Sequence, residues 1–133
     1  MSRLTGRFVF VGERRSPPAI RKGVTWAGRR LCAKTLCHVL DALGLPPENT
    51  LFINVYRDDG CCDTHALRRV EALQAEGWII VGLRRTVQQA LARSPRIPHR
   101  AMIHPAARGR IRRRELYRAH VATVLFAVQA EID

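Results

Sequence analysis

Lysine is nearly missing from this chain: it occurs twice, at Lys22 and Lys34, although 23 basic residues stand against 11 acidic ones. The formal charge of +12 is therefore an arginine charge. Long apolar runs are missing too, and none approaches the ~20 residues that a membrane-spanning helix needs. The start, Met1 to Arg7, leads straight into a strand-like run without the apolar stretch and small-residue cleavage site of a secretory leader, which points to the cytoplasm. Cysteine is limited to positions 32, 37, 61 and 62, a C-x4-C spacing followed by an adjacent pair. C-x2-C pairs are missing, and neighbouring cysteines rarely ligate one tetrahedral ion, so neither a metal nor another cofactor is expected. Cys32 and Cys37 read instead as small apolar residues in or beside a helix. Aromatics are few, at 6% of the chain, and offer no obvious patch for dimerisation.

What is present suits one ordinary domain covering residues 1–133, with 47% apolar residues to build one packed core. Four short apolar runs stand out: Phe8-Val9-Phe10-Val11, Leu51-Phe52-Ile53 with Val55 beyond, Trp78-Ile79-Ile80-Val81, and Ala101-Met102-Ile103. They are continuous rather than alternating, as expected of strands covered on both faces of a parallel sheet. Helical stripes lie between them. Leu36, Val39, Leu40 and Leu43 form the first, stopped by Gly44 and Pro46-Pro47. The second is Leu67, Val70 and Leu73, capped by Thr64 and ended by Gly77. A third spans about Thr86 to Ala92 with Val87, Ala90 and Leu91 inward, and the last starts near Arg112 with Leu116, Val121, Val124, Leu125 and Val128. The order β-α-β-α-β-α-β-α predicts a three-layer α/β/α fold with a four-stranded parallel sheet and right-handed crossovers. One long irregular stretch, from Glu13 to about Arg30, follows the first strand and should lie over the carboxyl edge of the sheet.

In open sheets of this kind, ligands bind beyond the carboxyl ends of the strands. The residues leaving each strand are therefore the candidate site. Strand one releases Gly12-Glu13-Arg14-Arg15, strand two Asn54 followed by Arg57, Asp58 and Asp59, strand three Gly82-Leu83-Arg84-Arg85, and strand four His104-Pro105. Taken singly, Glu13 could pair with an arginine, Asn54 could cap a turn, and His104 could accept from a backbone amide. Together they place an acid, an amide, an imidazole and several guanidiniums on one edge. The excess of positive charge favours a polyanion, because each neutralised phosphate releases condensed counterions, although arginine-rich composition alone would give the same total. Five arginines crowd residues 108–114 at the start of the last helix, where cations are disfavoured by the helix dipole and a bound anion would offset the cost.

The ordered combination of Val11-Gly12-Glu13, Ile53-Asn54, Ile80-Val81-Gly82 with Ala90-Leu91, and Ile103-His104-Pro105-Ala106-Ala107 resembles the uracil-DNA glycosylase superfamily over about residues 8 to 125. The resemblance implies a DNA-binding enzyme that hydrolyses the N-glycosidic bond of uracil or another altered base. It implies catalytic roles for Glu13, which would support the sugar cation or orient water, and His104, which would bond the uracil carbonyl oxygen. Gly12, Asn54 and Trp26 would bind the base, with the Asn54 amide reading its imide edge and Trp26 the nearest candidate to stack on it. Arg14, Arg15, Arg84, Arg108, Arg110 and Arg112 would hold the nucleic acid, which is DNA, single-stranded DNA or RNA, and the base would leave its stack to enter. The first motif departs from the family pattern G-E-A-P or G-Q-D-P: Pro17 stands five places after Gly12, and two arginines follow Glu13. Two further readings therefore stay open, a catalytically inactive nucleic-acid-binding module on the same fold and an enzyme acting on free nucleosides or nucleotides.

Overall fold

The structure is a computed structural model that describes residues 4–14, 21, 32–93, 96–105 and 114–132. These residues form four strands and four α-helices in strict alternation: β1 (Phe8–Gly12), α1 (Cys32–Ala42), β2 (Thr50–Asn54), α2 (Thr64–Ala75), β3 (Ile79–Gly82), α3 (Arg85–Ala92), β4 (Arg100–Ala101) and α4 (Arg114–Ile132). A one-turn 3-10 helix, Pro47–Asn49, leads into β2. The strands are all parallel in the order β2-β1-β3-β4. This is the fold class expected from the continuous apolar runs.

Side chains alternate across each strand, and the two faces of the sheet feed two separate cores. Phe8, Phe10 and Val81 face α1 and α4, meeting Leu36, Val39 and Leu40 from one helix and Tyr117, Val121, Leu125 and Val128 from the other. Val9, Val11, Ile53 and Ile80 face the opposite way, onto Val70 of α2 and Val87 and Leu91 of α3. Phe10 stacks between two neighbours on its face, Phe8 at 6.3 Å and Phe52 at 5.5 Å between ring centroids. Both cores run through β1, which is buried along its whole length. Truncating Phe10 to alanine should therefore cost about 3–5 kcal/mol.

Local signals end the helices where turn chemistry allows. After α1 the amide of Leu45 returns to the Leu40 carbonyl and buries its own side chain beyond Gly44. The amide of Trp78 returns in the same way to Leu73 after α2. The indole of Trp78 then lies under the Arg7 guanidinium, 4.9 Å from the ring centroid, and Arg7 also donates to the Glu76 carbonyl. Gln129, buried in the last turns of α4, ties down the chain entering β1. Its Oε1 accepts from the amides of Thr5 and Gly6 at 2.9 and 2.8 Å, and its Nε2 donates to Thr5 Oγ1.

Three expectations need correction. The cap of α2 is Asp63, whose carboxylate accepts from the Ala66 amide, and Thr64 is the first helical residue. Strand pairing in β4 covers Arg100 and Ala101 rather than Ala101 to Ile103. Met102 is apolar because it fills the core beneath Tyr117 and Val121, whereas Ile103 is exposed. Leu116 is likewise exposed, because the inward stripe of α4 begins at Tyr117. The start of the last helix near Arg112 and most of the Glu13–Arg30 loop lie outside the described residues.

Candidate functional site at the carboxyl edge of the sheet

Each strand delivers a different polar group to one edge, and main-chain hydrogen bonds carry the pairing past the last strand residues. The amides of Val55 and Tyr56 donate to the carbonyls of Gly12 and Glu13, and the amide of Leu83 donates to Val11. The amide of Met102 donates to Gly82. The sheet edge is thus continuous at the positions where the apolar runs stop, which fixes the bases of Glu13, Asn54, Arg84 and His104 relative to one another.

Gly12 and Asn54 are partners in the β1–β2 register. Alternation sets Asn54 on the same face as Phe52, half-buried, beside a glycine that adds no side chain to that face. Glu13, the residue after β1, leans to α3: Thr86 Oγ1 donates to its Oε2 at 2.9 Å. Helix α3 starts without a side-chain cap, and arginines occupy its cap and first positions, Arg84 and Arg85. Cations are disfavoured there by the helix dipole, so the Glu13 carboxylate in front of the first turn offsets an otherwise unfavourable charge distribution.

His104 completes the group. It is half-buried, and burial, assisted by the Arg84 guanidinium, pulls its imidazole down to about 4, with Glu13 opposing the change. The ring is therefore neutral near pH 7, with one N–H to donate and one nitrogen to accept. The charges of Arg84 and Glu13 both act on it, so the three groups share one electrostatic neighbourhood. A short polar framework supports this corner: Gln88 Nε2 donates to the Gly82 carbonyl at 3.0 Å, and a Cβ on Gly82 would come within 3.0 Å of Gln88 Cγ. Only glycine lets the Gln88 side chain lie that close to the strand. Beside it His99 donates from Nδ1 to the Ile97 carbonyl at 2.8 Å, because a carbonyl can only accept.

Arg14 takes a separate direction. Its guanidinium reaches the loop after β2, where the Nη1 stands 3.0 Å from the point a Cβ on Gly60 would occupy. Gly60 has φ +87, a left-handed turn position that L side chains rarely adopt. The loop is shaped from within: the Arg57 and Cys61 main chains bond each other, and the Cys61 amide donates to Asp59 Oδ1. That amide holds the Asp59 carboxyl below its ordinary range. Cys61 and Cys62 are exposed, and Cys37 is buried in α1, as the helical reading of that residue expected. No group of three or more metal-ligating side chains exists among the described residues.

Of the residues singled out from the sequence, the fold gathers Gly12, Glu13, Asn54, Arg84 and His104 along one edge and sets Arg14 at its margin over Gly60. Arg15, Trp26, Arg108, Arg110 and Arg112 lie outside the described residues. Thr86, Tyr117 and His120 were not singled out; the last two hold the main chain of Ile103, the residue before His104. Nothing in a lone sequence marks them, because their partners are 14 and 17 residues away. Neither protein-family models nor curated proteins give a match to this chain. No helix among the described residues is long and apolar enough to cross a membrane.

Proposed function

We propose that this protein binds nucleic acid and hydrolyses the N-glycosidic bond of uracil or another altered base at the carboxyl edge of its sheet. One observation carries the reading: a neutral imidazole, His104, shares its surroundings with a carboxylate, Glu13, that a helix hydroxyl holds in place. Glycosidic cleavage develops positive charge on the sugar and negative charge on the departing base. A neutral ring can donate an N–H to the oxygen where that negative charge collects, and it does so without having to lose a proton first. The carboxylate offsets the sugar cation or takes the proton of the attacking water as its oxygen bonds to the anomeric carbon. Asn54 beside Gly12 supplies the donor and acceptor pair that an imide edge requires. The net charge of +12 and the exposed Arg14 and Arg84 supply attraction for phosphates.

The departure in the first motif favours one alternative, a binding module on this fold without the chemistry. Arg14 follows Glu13 directly and spends its side chain on the Gly60 loop. The discriminating assay is base release from a panel of oligonucleotides carrying uracil and other altered bases, scored as alkali-labile sites, with His104→Ala as control. Free base in the wild-type reaction, lost in the variant at unchanged affinity, supports the enzyme. Steeply salt-dependent binding with every base left intact rejects it in favour of the module.

A further inference from the structure

Ile103 is gripped at both of its main-chain polar groups by one face of α4. Its N–H donates to Nε2 of His120 at 2.9 Å, and Tyr117 Oη donates to its carbonyl at 2.9 Å. The two helix residues are three apart and therefore neighbours on the helix surface. The reason for the grip lies in the sheet. Met102 spends its amide on Gly82 of β3, so in extended chain the polar groups of the next residue point to the opposite side. That side is the outer edge of the sheet, because β4 is terminal in the strand order. Main-chain groups there need partners, and α4 provides two side chains where another strand would provide main chain.

We propose that Tyr117 and His120 are positioning residues for His104: by fixing the N–H and the carbonyl of Ile103 they set where the next side chain stands relative to Arg84 and Glu13. Ile103 is 37% exposed, so burial holds it only in part, and the two hydrogen bonds fix its main chain. Tyr117, in contrast, is only 3% exposed and sits in the core with Val121 and Met102, which gives the grip a rigid base. His120 can accept from the Ile103 amide only with Nε2 unprotonated, so its proton resides on Nδ1. The ring lies 6.3 Å from that of Tyr117, tilted by 38°, and the pair forms one unit on the helix. The role of His104 in base chemistry rests on the function proposed above, but the positioning itself is measurable without any substrate.

The test compares wild type with Tyr117→Phe, His120→Leu and His120→Gln, following the His104 ring titration by NMR and the exchange protection of the Ile103 amide. Leucine removes the acceptor, phenylalanine removes the donor, and glutamine offers an amide oxygen where Nε2 stood. In Tyr117→Phe and His120→Leu, the His104 midpoint should move from about 4 back toward 6.5 by roughly half a unit or more. Protection of the Ile103 amide should fall about tenfold in His120→Leu, and His120→Gln should restore both. A His104 midpoint that stays at its wild-type value in both loss variants overturns the inference. Should His120→Leu fail to fold, Tyr117→Phe and the wild-type protein still decide: an unprotected Ile103 amide in the wild type overturns it equally. If the midpoint responds but the wild type releases no base, the positioning stands and only the proposed chemistry falls. Where base is released, Tyr117→Phe should lower kcat while KM stays within about twofold, because the residue is buried and acts through the Ile103 main chain.

Discussion

The hydroxyl of Thr86 donates to a carboxylate oxygen of Glu13 at 2.9 Å, joining the end of β1 to the first turn of α3 across 73 residues of sequence. Both groups stand where solvent reaches them, so the bond adds little to global stability. Its effect is on orientation: Thr86 holds one oxygen of the Glu13 carboxylate in place. Thr86→Val removes the donor at nearly constant shape. We expect a stability change below about 1 kcal/mol and, if the protein releases base as proposed, a loss of that release of roughly tenfold, the equivalent of about 1.4 kcal/mol in the barrier. Urea unfolding together with single-turnover kinetics checks both halves. A Thr86→Ser variant, which keeps the hydroxyl, should retain most of the activity.

His104 and His120 make stability depend on pH with one sign. Burial lowers both rings in the folded protein, His104 to about 4 from an ordinary 6.5. Below pH 6.5 the unfolded chain binds protons that the folded chain refuses, so the contribution of the neutral rings is complete above that pH. The His104 share is lost progressively as pH falls from 6.5 toward 4, and the His120 share is lost in the same direction. Replacing His104 by Asn removes one titration: between pH 7.5 and 4.5 the wild type should lose about 2 kcal/mol more stability than the variant. Parallel denaturant curves at the two pH values measure it, and equal losses in both proteins would contradict a depressed His104.

The strands were legible because burial on both faces demands unbroken apolar runs, and Phe8 to Val11 or Ile79 to Val81 could do little else. The same rule misled at Ala101 to Ile103, where Met102, just past the last strand residue, is apolar because it fills the α1–α4 core. Site residues were legible as far as they sit on strand ends, since topology alone brings Gly12, Asn54 and the approach to His104 to one edge. Supporting residues were not. Thr86 reads as an ordinary helix start, and Tyr117 and His120 read as parts of an amphipathic helix. Their significance comes from bonds to Glu13 and to the main chain of Ile103, which no local pattern encodes. Asp63 and Thr64 are both good caps, and only the bond to the Ala66 amide decides between them.

Gln129 offers a stability prediction far from the candidate site. Its oxygen accepts from two amides, those of Thr5 and Gly6, and the side chain is only 2% exposed. Gln129→Leu keeps much of the volume but leaves both amides without that acceptor in a buried setting. The expected cost is about 2–4 kcal/mol, since each orphaned buried donor costs about 1–3. Exchange of the Thr5 and Gly6 amides should accelerate first. Gln129→Glu recovers the acceptor but forfeits the bond from Nε2 to Thr5 Oγ1 and buries a charge, so it should be rescued only at acid pH, when the carboxyl is protonated.

The arginines at the edge should be separable by salt. If Arg14 and Arg84 contact phosphates, replacing either by Ala weakens binding about equally for every sequence and lowers the slope of log affinity against log salt by about 0.9 for duplex, or 0.7 for single strands. Gly60→Ala tests whether the placement of Arg14 matters as well as its charge. At φ +87 the new methyl group is strained, costing about 1–2 kcal/mol of stability, and it meets Arg14 Nη1 at 3.0 Å. The flexible end of the side chain can yield, so the guanidinium is displaced rather than lost. Affinity should then fall while the salt slope moves less than in Arg14→Ala, because a displaced charge still attracts phosphate at a distance. Titrations at several salt concentrations distinguish these outcomes. Identical slopes for wild type and Arg14→Ala would remove Arg14 from the interface and leave its seat on Gly60 as a structural contact alone.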